Sequence, residues 1–177
     1  MLIREAVMND AEGIAKVHVD SWRTTYHEII PEKFLNSLSY EQRTELWIEN
    51  IGKTDDFVIL AENTEGKIVG FADCWKRETN TVTDAVDLTS IYILKAYQGI
   101  GLGKQLLKHI FHHSNALGYQ RIFVNVLEDN KTRYFYEHYG AHLYESVQVK
   151  IGGKVLNELV YEWDNLEEVL ARLTKTN

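Results

Sequence analysis

The spacing of apolar and polar residues divides the chain into segments typical of strands and helices. Apolar and polar residues alternate over residues 2–6, which predicts a first strand. Apolar residues then recur at helical spacing after Asn9 and Asp10, two residue types that often begin helices. Around the only proline, Pro31, we predict a bend between this helix and a short second helix. A third helix is predicted from about residue 40 to residue 51.

The rest of the chain reads as strands and helices separated by glycine-rich or polar turns. The predicted elements are strands at 56–61, 67–75 and 88–94, a helix from about 103 to 117, a strand at 121–126, a short helix at 130–139, a hairpin of 142–150 with 154–163, and a helix at 165–173. Strands and helices in this order indicate one α+β domain, residues 1–177, built around a mixed sheet.

Composition narrows the class of protein. The chain has 177 residues, 45% hydrophobic and 25% charged, which is typical of one globular domain. No apolar run approaches the length that spans a bilayer, and the first residues lack the apolar segment of a secretory signal. The single cysteine, Cys74, permits no intrachain disulfide, so we expect a cytoplasmic protein. Because Cys74 lies in an apolar strand, we expect its side chain to be buried. A net charge of -7 without a basic cluster predicts neither a nucleic-acid nor a membrane partner.

A glycine-rich loop, residues 98–103, joins the predicted strand at 88–94 to the helix that follows. Its glycines allow backbone dihedrals that a Cβ atom would forbid. Because the loop opens a helix, free N–H groups and the positive end of the helix dipole face whatever binds there. The loop is therefore a candidate anion site, most often a phosphate site.

Two common phosphate-binding loops do not fit this stretch. The dinucleotide-binding pattern G-x-G-x-x-G has Lys104 in place of its third glycine. The Walker pattern has Gln98 in place of its first glycine, and Gln105 where serine or threonine belongs. The pattern that does fit is Q-x-x-G-x-G, at Gln98, Gly101 and Gly103. It resembles the acetyl-CoA pyrophosphate loop of the GNAT family of N-acetyltransferases.

A second stretch strengthens this resemblance. Asn130 follows a predicted strand, Phe135, Tyr136 and Glu137 form an F-Y-E triplet, and Gly140 ends the helix, as in GNAT proteins. The first helical region, 18–26, is also similar to family members that carry H-V-x-S-W-R-x-T-Y. The resemblance thus covers most of the chain.

The resemblance implies a fold and a co-substrate. The expected fold is a single-domain α+β GNAT fold, with a mixed, mostly antiparallel sheet of about seven strands, flanked by helices and splayed at strand 4. The expected co-substrate is acetyl-CoA, without a metal ion. The residues that the resemblance assigns to acetyl-CoA are Ile91, Ile93, Gln98, Gly99, Gly101, Leu102, Gly103, Lys104, Asn130 and Arg133.

The resemblance also implies transfer of the acetyl group to a primary amine by direct attack in a ternary complex. The amide of Ile91 would stabilise the oxyanion, and Tyr136 would act as the general acid for the leaving thiolate. Asp87 would act as the general base, directly or through water. A base is needed because removing a proton from the ammonium form of the amine costs about 4–5 kcal/mol at neutral pH. Trp22 and Tyr26 are candidates for the substrate pocket.

Several alternatives remain open at the sequence level. Tyr136 and the aromatic residues at helical spacing are common types of core residue, and Asp87 could be a solvated acid at a strand end. The histidines at 109, 112 and 113 do not form a known metal-binding motif. The chain could be a non-catalytic acyl-CoA-binding module, or an acetyltransferase of protein N-termini or lysines, rather than of a small-molecule amine. The final hairpin offers an edge that could pair with a second copy in a homodimer.

Overall fold

Seven strands form the central sheet in the computed structural model, which describes residues 1–174. The strands are β1 (Leu2–Glu5), β2 (Phe57–Glu62), β3 (Ile68–Trp75), β4 (Ala85–Ile93), β5 (Arg121–Leu127), β6 (His142–Ile151) and β7 (Lys154–Trp163). Their order across the sheet is β1-β2-β3-β4-β5-β7-β6. Strands β4 and β5 run parallel, whereas the other neighbours are antiparallel. The mixed, mostly antiparallel sheet of seven strands is therefore confirmed.

Helices cover both faces of this sheet. They are α1 (Ala11–Thr25), α2 (Glu32–Asn36), α3 (Tyr40–Ile51), α4 (Leu102–Ala116), α5 (Arg133–His138) and α6 (Leu166–Thr174). On β3, Phe71 packs with α1 and α3, whereas its neighbour Ala72 packs with α4 and α6. Successive residues of a strand point to opposite faces, so the two helix pairs lie on opposite sides of the sheet.

Helix α4 shows why these segments fold as they do. The predicted apolar stripe is confirmed, because Leu106, Ile110 and Phe111 are each fully buried against the sheet. The helix ends before Gly118, which adopts a left-handed conformation with φ of 85°. Glycine adopts this conformation at little cost and commonly follows the last turn of a helix.

The splay predicted at the fourth strand is confirmed. Parallel pairing between β4 and β5 starts at Ala85 and stops at Leu88, opposite Val124, and the rest of β4 has no partner in β5. On its other side β4 carries a bulge, because Asp73 pairs with Ser90 whereas the next residue of β3 pairs with Leu88. The bulge leaves one extra residue, Thr89, between them.

Two predicted boundaries were wrong by three residues, and several others differ by one. Strand β4 begins at residue 85 rather than 88, because its first residues are buried and pair with β5. Helix α5 begins at Arg133 rather than at Asn130, because Asn130 makes a turn by accepting a hydrogen bond from the backbone N–H of Thr132. The last helix, predicted to end at residue 173, ends at Thr174. The predicted domain limit of 177 lies outside the described residues.

Strands β1 and β6 form the two edges of the sheet. Most residues of β6 are exposed to solvent, as expected of the outer strand of the predicted final hairpin. The homodimer that such an edge would permit stays a prediction.

Candidate active site

A cleft of about 390 Å³ opens where β4 and β5 separate. The structure brings together most of the residues that the sequence assigned to the site. Those that line the cleft are Tyr26, Ile91, Ile93, Gln98, Gly99, Gly101, Gly103, Lys104, Asn130 and Tyr136. Leu102, Arg133, Trp22 and Asp87 do not line it.

The glycine-rich loop forms one end of the cleft and leads into α4. Gly101 is the N-cap of α4 and has φ of 82°, in the left-handed region. The first hydrogen bond of the helix joins the N–H of Gln105 to the carbonyl of Gly101 at 3.2 Å. The backbone N–H groups of Leu102 and Gly103 precede this bond, so no carbonyl of the helix can accept from them. This end of the cleft can therefore bind an anionic group.

Close packing, rather than backbone conformation, explains Gly103. A Cβ atom there would lie 3.3 Å from Cζ of Phe135 and 3.5 Å from Cδ1 of Ile93. The first turn of α4 therefore packs tightly against both the end of β4 and α5. Leu102 is buried in the core beside this turn, so only its backbone can serve the loop.

Strand β4 forms one wall of the cleft. Ile91 pairs with Ala72 and Ile93 pairs with Gly70 in β3, but neither has a partner on the β5 side. The side chain of Gln98 donates a hydrogen bond to the carbonyl of Ile93 at 2.9 Å, which ties the loop to the end of the strand. A ligand that carries amide groups can pair with such an open strand edge.

Tyr136 lies between the cleft and the core. It is 5% exposed, and its ring packs edge-on against Phe135 and Trp163, with centroid distances of 5.7 Å to each. Burial, with a smaller contribution from Tyr26, raises the pKa of Tyr136 well above that of an ordinary phenol. The phenol is therefore protonated at neutral pH and can donate a hydrogen bond into the cleft.

A pair of tyrosines forms another part of the wall. The hydroxyls of Tyr26 and Tyr92 lie 3.3 Å apart, and burial raises the pKa of both. Trp22 packs edge-on against Tyr26, with ring centroids 4.8 Å apart, and so lies one layer behind the cleft surface. Of the two predicted pocket residues, Tyr26 lines the cleft and Trp22 supports it.

Asn130 and Arg133 lie in different environments. Asn130 is 7% exposed and lines the cleft, and its side-chain oxygen accepts from the N–H of Thr132 at 3.0 Å. Arg133 instead donates to the hydroxyl of Tyr134 at 2.9 Å, and its guanidinium lies over the same ring. Arg133 does not line the cleft, and its contact with the CoA phosphates stays a prediction.

Asp87 faces a second depression of about 280 Å³ rather than the cleft. Its carboxylate accepts from the N–H of Arg77 at 3.1 Å and from the side chain of Asn80 at 2.9 Å. The two depressions share Asn125. The predicted base is thus held by the loop that precedes β4 and lies outside the cleft.

Sequence reasoning missed several cleft residues. They include Thr25, Thr89, Ser90, Tyr92, Asn125, Thr132 and Tyr139. Tyr92 lies between two residues already assigned to the cleft, but alternation along β4 places its side chain on the opposite face of the sheet, so the pattern gave no signal for it. Thr89 was not identified, because the exact position of the bulge in β4 depends on its pairing with β3.

Cys74 is buried, as predicted. It is 2% exposed, its Sγ lies 3.9 Å from the hydroxyl of Ser114, and burial raises the pKa of its thiol to about 12. It does not line the cleft, so it is poorly placed to act as a nucleophile.

Neither a metal cluster nor a membrane span is found in the part of the chain that the structure describes. Within residues 1–174, no three histidine, cysteine or acidic side chains are grouped so that they could hold a metal ion. No helix in the same range is both long and apolar enough to cross a membrane.

Comparisons with known proteins agree with this geometry. The acetyltransferase (GNAT) family model matches residues 19–141. An uncharacterized N-acetyltransferase of Bacillus subtilis, YuaI, is 35% identical over 173 residues, which cover 98% of each chain. The ribosomal protein bS18-alanine N-acetyltransferase of Haemophilus influenzae is 40% identical over 81 residues, 46% of this chain and 51% of that protein.

A solved structure shows the same fold. The PaiA N-acetyltransferase of Thermoplasma acidophilum, in complex with coenzyme A, has a TM-score of 0.77 at 20% identity, over 92% of this chain and 98% of that chain. The family match covers more than half of the sequence, and the Bacillus relative matches along nearly all of it. The chain therefore belongs to the GNAT family of acetyltransferases and is an acyltransferase that uses acetyl-CoA.

Proposed function

We propose that this protein transfers the acetyl group of acetyl-CoA to a primary amine by direct attack in a ternary complex. The observation that carries the proposal is a single cleft that joins the N-terminus of α4, the unpaired edge of β4 and the phenol of Tyr136. These are an anion site, a site for an amide-containing chain and a hydrogen-bond donor. Acetyl-CoA presents its pyrophosphate, pantetheine arm and sulfur in that order.

The pyrophosphate would bind the first-turn amides of α4, where the helix dipole favours negative charge. The pantetheine arm would pair with β4 at Ile91 and Ile93, as an added strand pairs with a sheet edge. In this arrangement the amide of Ile91 would stabilise the tetrahedral oxyanion. Asn130, buried on the facing side, would hold the same arm.

Tyr136 would act on the leaving sulfur. Its raised pKa keeps the phenol protonated, but also makes it a weaker acid than an ordinary tyrosine. A thiolate has a conjugate acid with a pKa of about 8.5, so a hydrogen bond to the departing sulfur is more favourable than early proton transfer. Tyr136 would thus stabilise negative charge on sulfur and release its proton late.

Direct attack is favoured over a covalent acyl-enzyme. The only cysteine is buried outside the cleft, and its raised pKa keeps the thiol protonated. The amine nitrogen would therefore attack the thioester carbon itself, and the carbon–sulfur bond would break as the amide forms.

We propose a small-molecule amine as the acceptor and the cytoplasm as the location. The partial similarity to an enzyme named for ribosomal protein alanine favours a second candidate, the α-amine of a protein N-terminus. A peptide with a free N-terminus and simple diamines therefore belong in the same amine panel.

The test has a binding part and a turnover part. Acetyl-CoA at about 100 times its Kd should stabilise the fold by about 2.7 kcal/mol in a thermal-shift assay. Release of free CoA should then depend on an added amine. If CoA and acetyl-CoA both leave the melting temperature unchanged, the cofactor assignment is wrong. Binding without amine-dependent release would favour the non-catalytic acyl-CoA-binding module.

Tyr136→Phe tests the role of the phenol. Phenylalanine keeps the edge-on contacts with Phe135 and Trp163, so the fold and the Kd of acetyl-CoA should be preserved. We expect kcat to fall by about 100-fold or more, the usual size of a general-acid contribution. Tyr134→Phe is the matched control, because Tyr134 is on the same helix but 54% exposed and outside the cleft. Full activity of Tyr136→Phe would remove the phenol from the mechanism.

A further inference from the structure

A buried carboxyl group lies directly behind the cleft at the bulge of β4. Asp73 of β3 is 1% exposed and pairs with Ser90 across the two strands. Thr89, the extra residue of the bulge, is half-buried and lines the cleft. Its hydroxyl donates a hydrogen bond to Oδ2 of Asp73 and lies 3.2 Å from the backbone carbonyl of the same residue. Asp73 is therefore one hydroxyl group away from the cleft.

The other carboxylate oxygen of Asp73 is costly for the fold. Within residues 1–174, Oδ1 of Asp73 is buried and has no hydrogen-bond partner. A buried polar atom without a partner destabilises the folded protein, and asparagine or an apolar residue would avoid a buried charge. The unpartnered oxygen thus makes an acid at this position costly for stability, and a proton-transfer role would explain why an acid stands there.

We propose that Asp73 is the final proton acceptor for the amine, and that it receives the proton through the hydroxyl of Thr89. This inference rests on the proposed function, because it requires an amine in the cleft. The ammonium group passes one proton to Oγ1 of Thr89, directly or through one water molecule. The Thr89 hydroxyl passes its own proton to Oδ2 of Asp73.

The products of this step are a neutral amine and a neutral carboxylic acid. The nitrogen lone pair then attacks the thioester carbon, the carbon–sulfur bond breaks, and the departing sulfur takes a proton from Tyr136. The nitrogen loses its second proton as the amide forms, which restores the proton of Tyr136, and Asp73 later loses its own proton to solvent. Charge is conserved, because one positive and one negative group neutralise each other. The buried carboxylate is discharged at the moment when the amine becomes nucleophilic.

The charges around Asp73 suit it to this role. Burial raises the pKa of Asp73 to about 6, while the hydroxyls of Thr89 and Ser90 and the positive charges of Arg77 and Lys53 limit the rise. Asp73 is therefore ionised at neutral pH, yet it is a stronger base than an ordinary aspartate.

Two acidic groups nearby stay neutral. Burial and the charge of Asp73 raise the pKa of Asp56 to about 8, and burial raises the pKa of the Cys74 thiol to about 12. Near pH 7, Asp73 is thus the member of this group that is mostly ionised and can accept a proton.

Asp87, the base predicted from the sequence, is less well connected. Its carboxylate is engaged by the N–H of Arg77 and the side chain of Asn80, and it faces the second depression. Asp73 reaches the cleft through one hydrogen bond to a lining residue.

A purely structural role for Asp73 makes a different prediction. If the hydrogen bond from Thr89 only holds the bulge in place, substitutions would change stability or the Michaelis constant without changing the shape of the pH profile. The profile of kcat/KM between pH 5 and pH 10 therefore separates the two roles.

The test compares the wild type with Asp73→Asn, which is nearly isosteric and uncharged. The wild-type profile should rise through a pKa near 6 to a plateau. In Asp73→Asn this rise near pH 6, the acidic limb of the profile, should disappear, and kcat/KM at pH 7 should fall by about 100-fold or more. The variant's rate should then rise about tenfold per pH unit towards the amine pKa of about 10, because it depends on amine deprotonated in solution. The Kd of acetyl-CoA should not change.

Thr89 supplies a matched pair of variants. Thr89→Ser keeps the hydroxyl and should keep the limb near pH 6, whereas Thr89→Val should behave like Asp73→Asn. If Asp73→Asn does not fold, as judged by circular dichroism, the comparison of Thr89→Ser with Thr89→Val tests the relay in its place. A wild-type profile in Thr89→Val would overturn the relay.

Asp87→Asn distinguishes the two candidate bases. The relay is overturned if Asp87→Asn removes the limb near pH 6 and Asp73→Asn keeps it. If the wild type transfers acetyl groups but Asp73→Asn shows the same profile, the relay alone is wrong. A wild type that acetylates no amine overturns the proposed function and the relay with it.

Discussion

Replacing Gly101 with alanine tests whether the loop at the start of α4 binds the phosphates of acetyl-CoA. Gly101 caps α4 with φ of 82°, and a Cβ atom there would have no protein atom within 4 Å. Alanine in the left-handed region costs about 1–2 kcal/mol. The methyl group would point into open space at the end of the cleft, where the proposal places the pyrophosphate.

Gly118 is a matched control for this change. It follows α4 at the other end, has φ of 85°, and would also place a Cβ atom in open space. Both variants should therefore lose about 1–2 kcal/mol of unfolding free energy, or about 2–8 °C in Tm for a chain of this size. Urea unfolding and thermal melts check that the two losses match.

The two variants should differ in binding. Isothermal titration should show that Gly118→Ala binds acetyl-CoA with wild-type affinity. Gly101→Ala should bind at least about tenfold more weakly, equivalent to about 1.4 kcal/mol, because the methyl group obstructs the approach of the phosphates to the first-turn amides. Equal Kd values for both variants and the wild type would show that the pyrophosphate binds elsewhere.

Two further predictions concern the buried polar groups on the α1 and α3 side of the sheet. The raised pKa of Asp56 means that its ionisation opposes folding, so this cost is absent near pH 4 and complete above pH 8. Asp56→Asn should therefore raise the unfolding free energy at pH 8.5 by on the order of 1–3 kcal/mol and leave it unchanged near pH 4. Urea unfolding at the two pH values measures both effects, and an equal gain at both would contradict this. Trp47 donates to Nδ1 of His18 at 3.1 Å, and burial lowers the pKa of His18 to about 3. Trp47→Phe removes that donor and opens space in the core, so it should lower the free energy of unfolding at pH 7, measured in urea, by about 2–4 kcal/mol. An unchanged free energy of unfolding would show that the buried nitrogen of His18 needs no partner.

The sequence predicts the fold well where local patterns and core burial agree. The apolar stripe of α4 and its end before Gly118 follow from residue spacing and from the conformational freedom of glycine. The start of β4 was missed because Asp87 interrupts its apolar pattern. That carboxylate is stabilised by the loop at residues 77–80, a contact that no local pattern reveals.

The candidate site was predictable in its main-chain elements and less so in its side chains. The glycine loop was found because a glycine pattern describes backbone geometry, and the open edge of β4 was implied by the resemblance to GNAT proteins. Thr89 and Asp73 were missed because their contact depends on a bulge and on pairing between two strands. Arg133 was assigned by its spacing from Asn130, but its side chain packs on Tyr134. The direction of a side chain at the start of a helix is not set by its distance along the sequence from another site residue.

A single-turnover experiment with isotopically labelled acetyl-CoA tests the central claim most directly. Mass spectrometry would follow the label on the protein and on an amine panel that includes diamines and a peptide N-terminus. The proposed mechanism predicts that the protein stays unlabelled without amine, and that one labelled acetyl group reaches an amine for each CoA released. An acetylated protein that forms without amine and then passes its label on, or bound acetyl-CoA that no amine discharges, would contradict direct transfer.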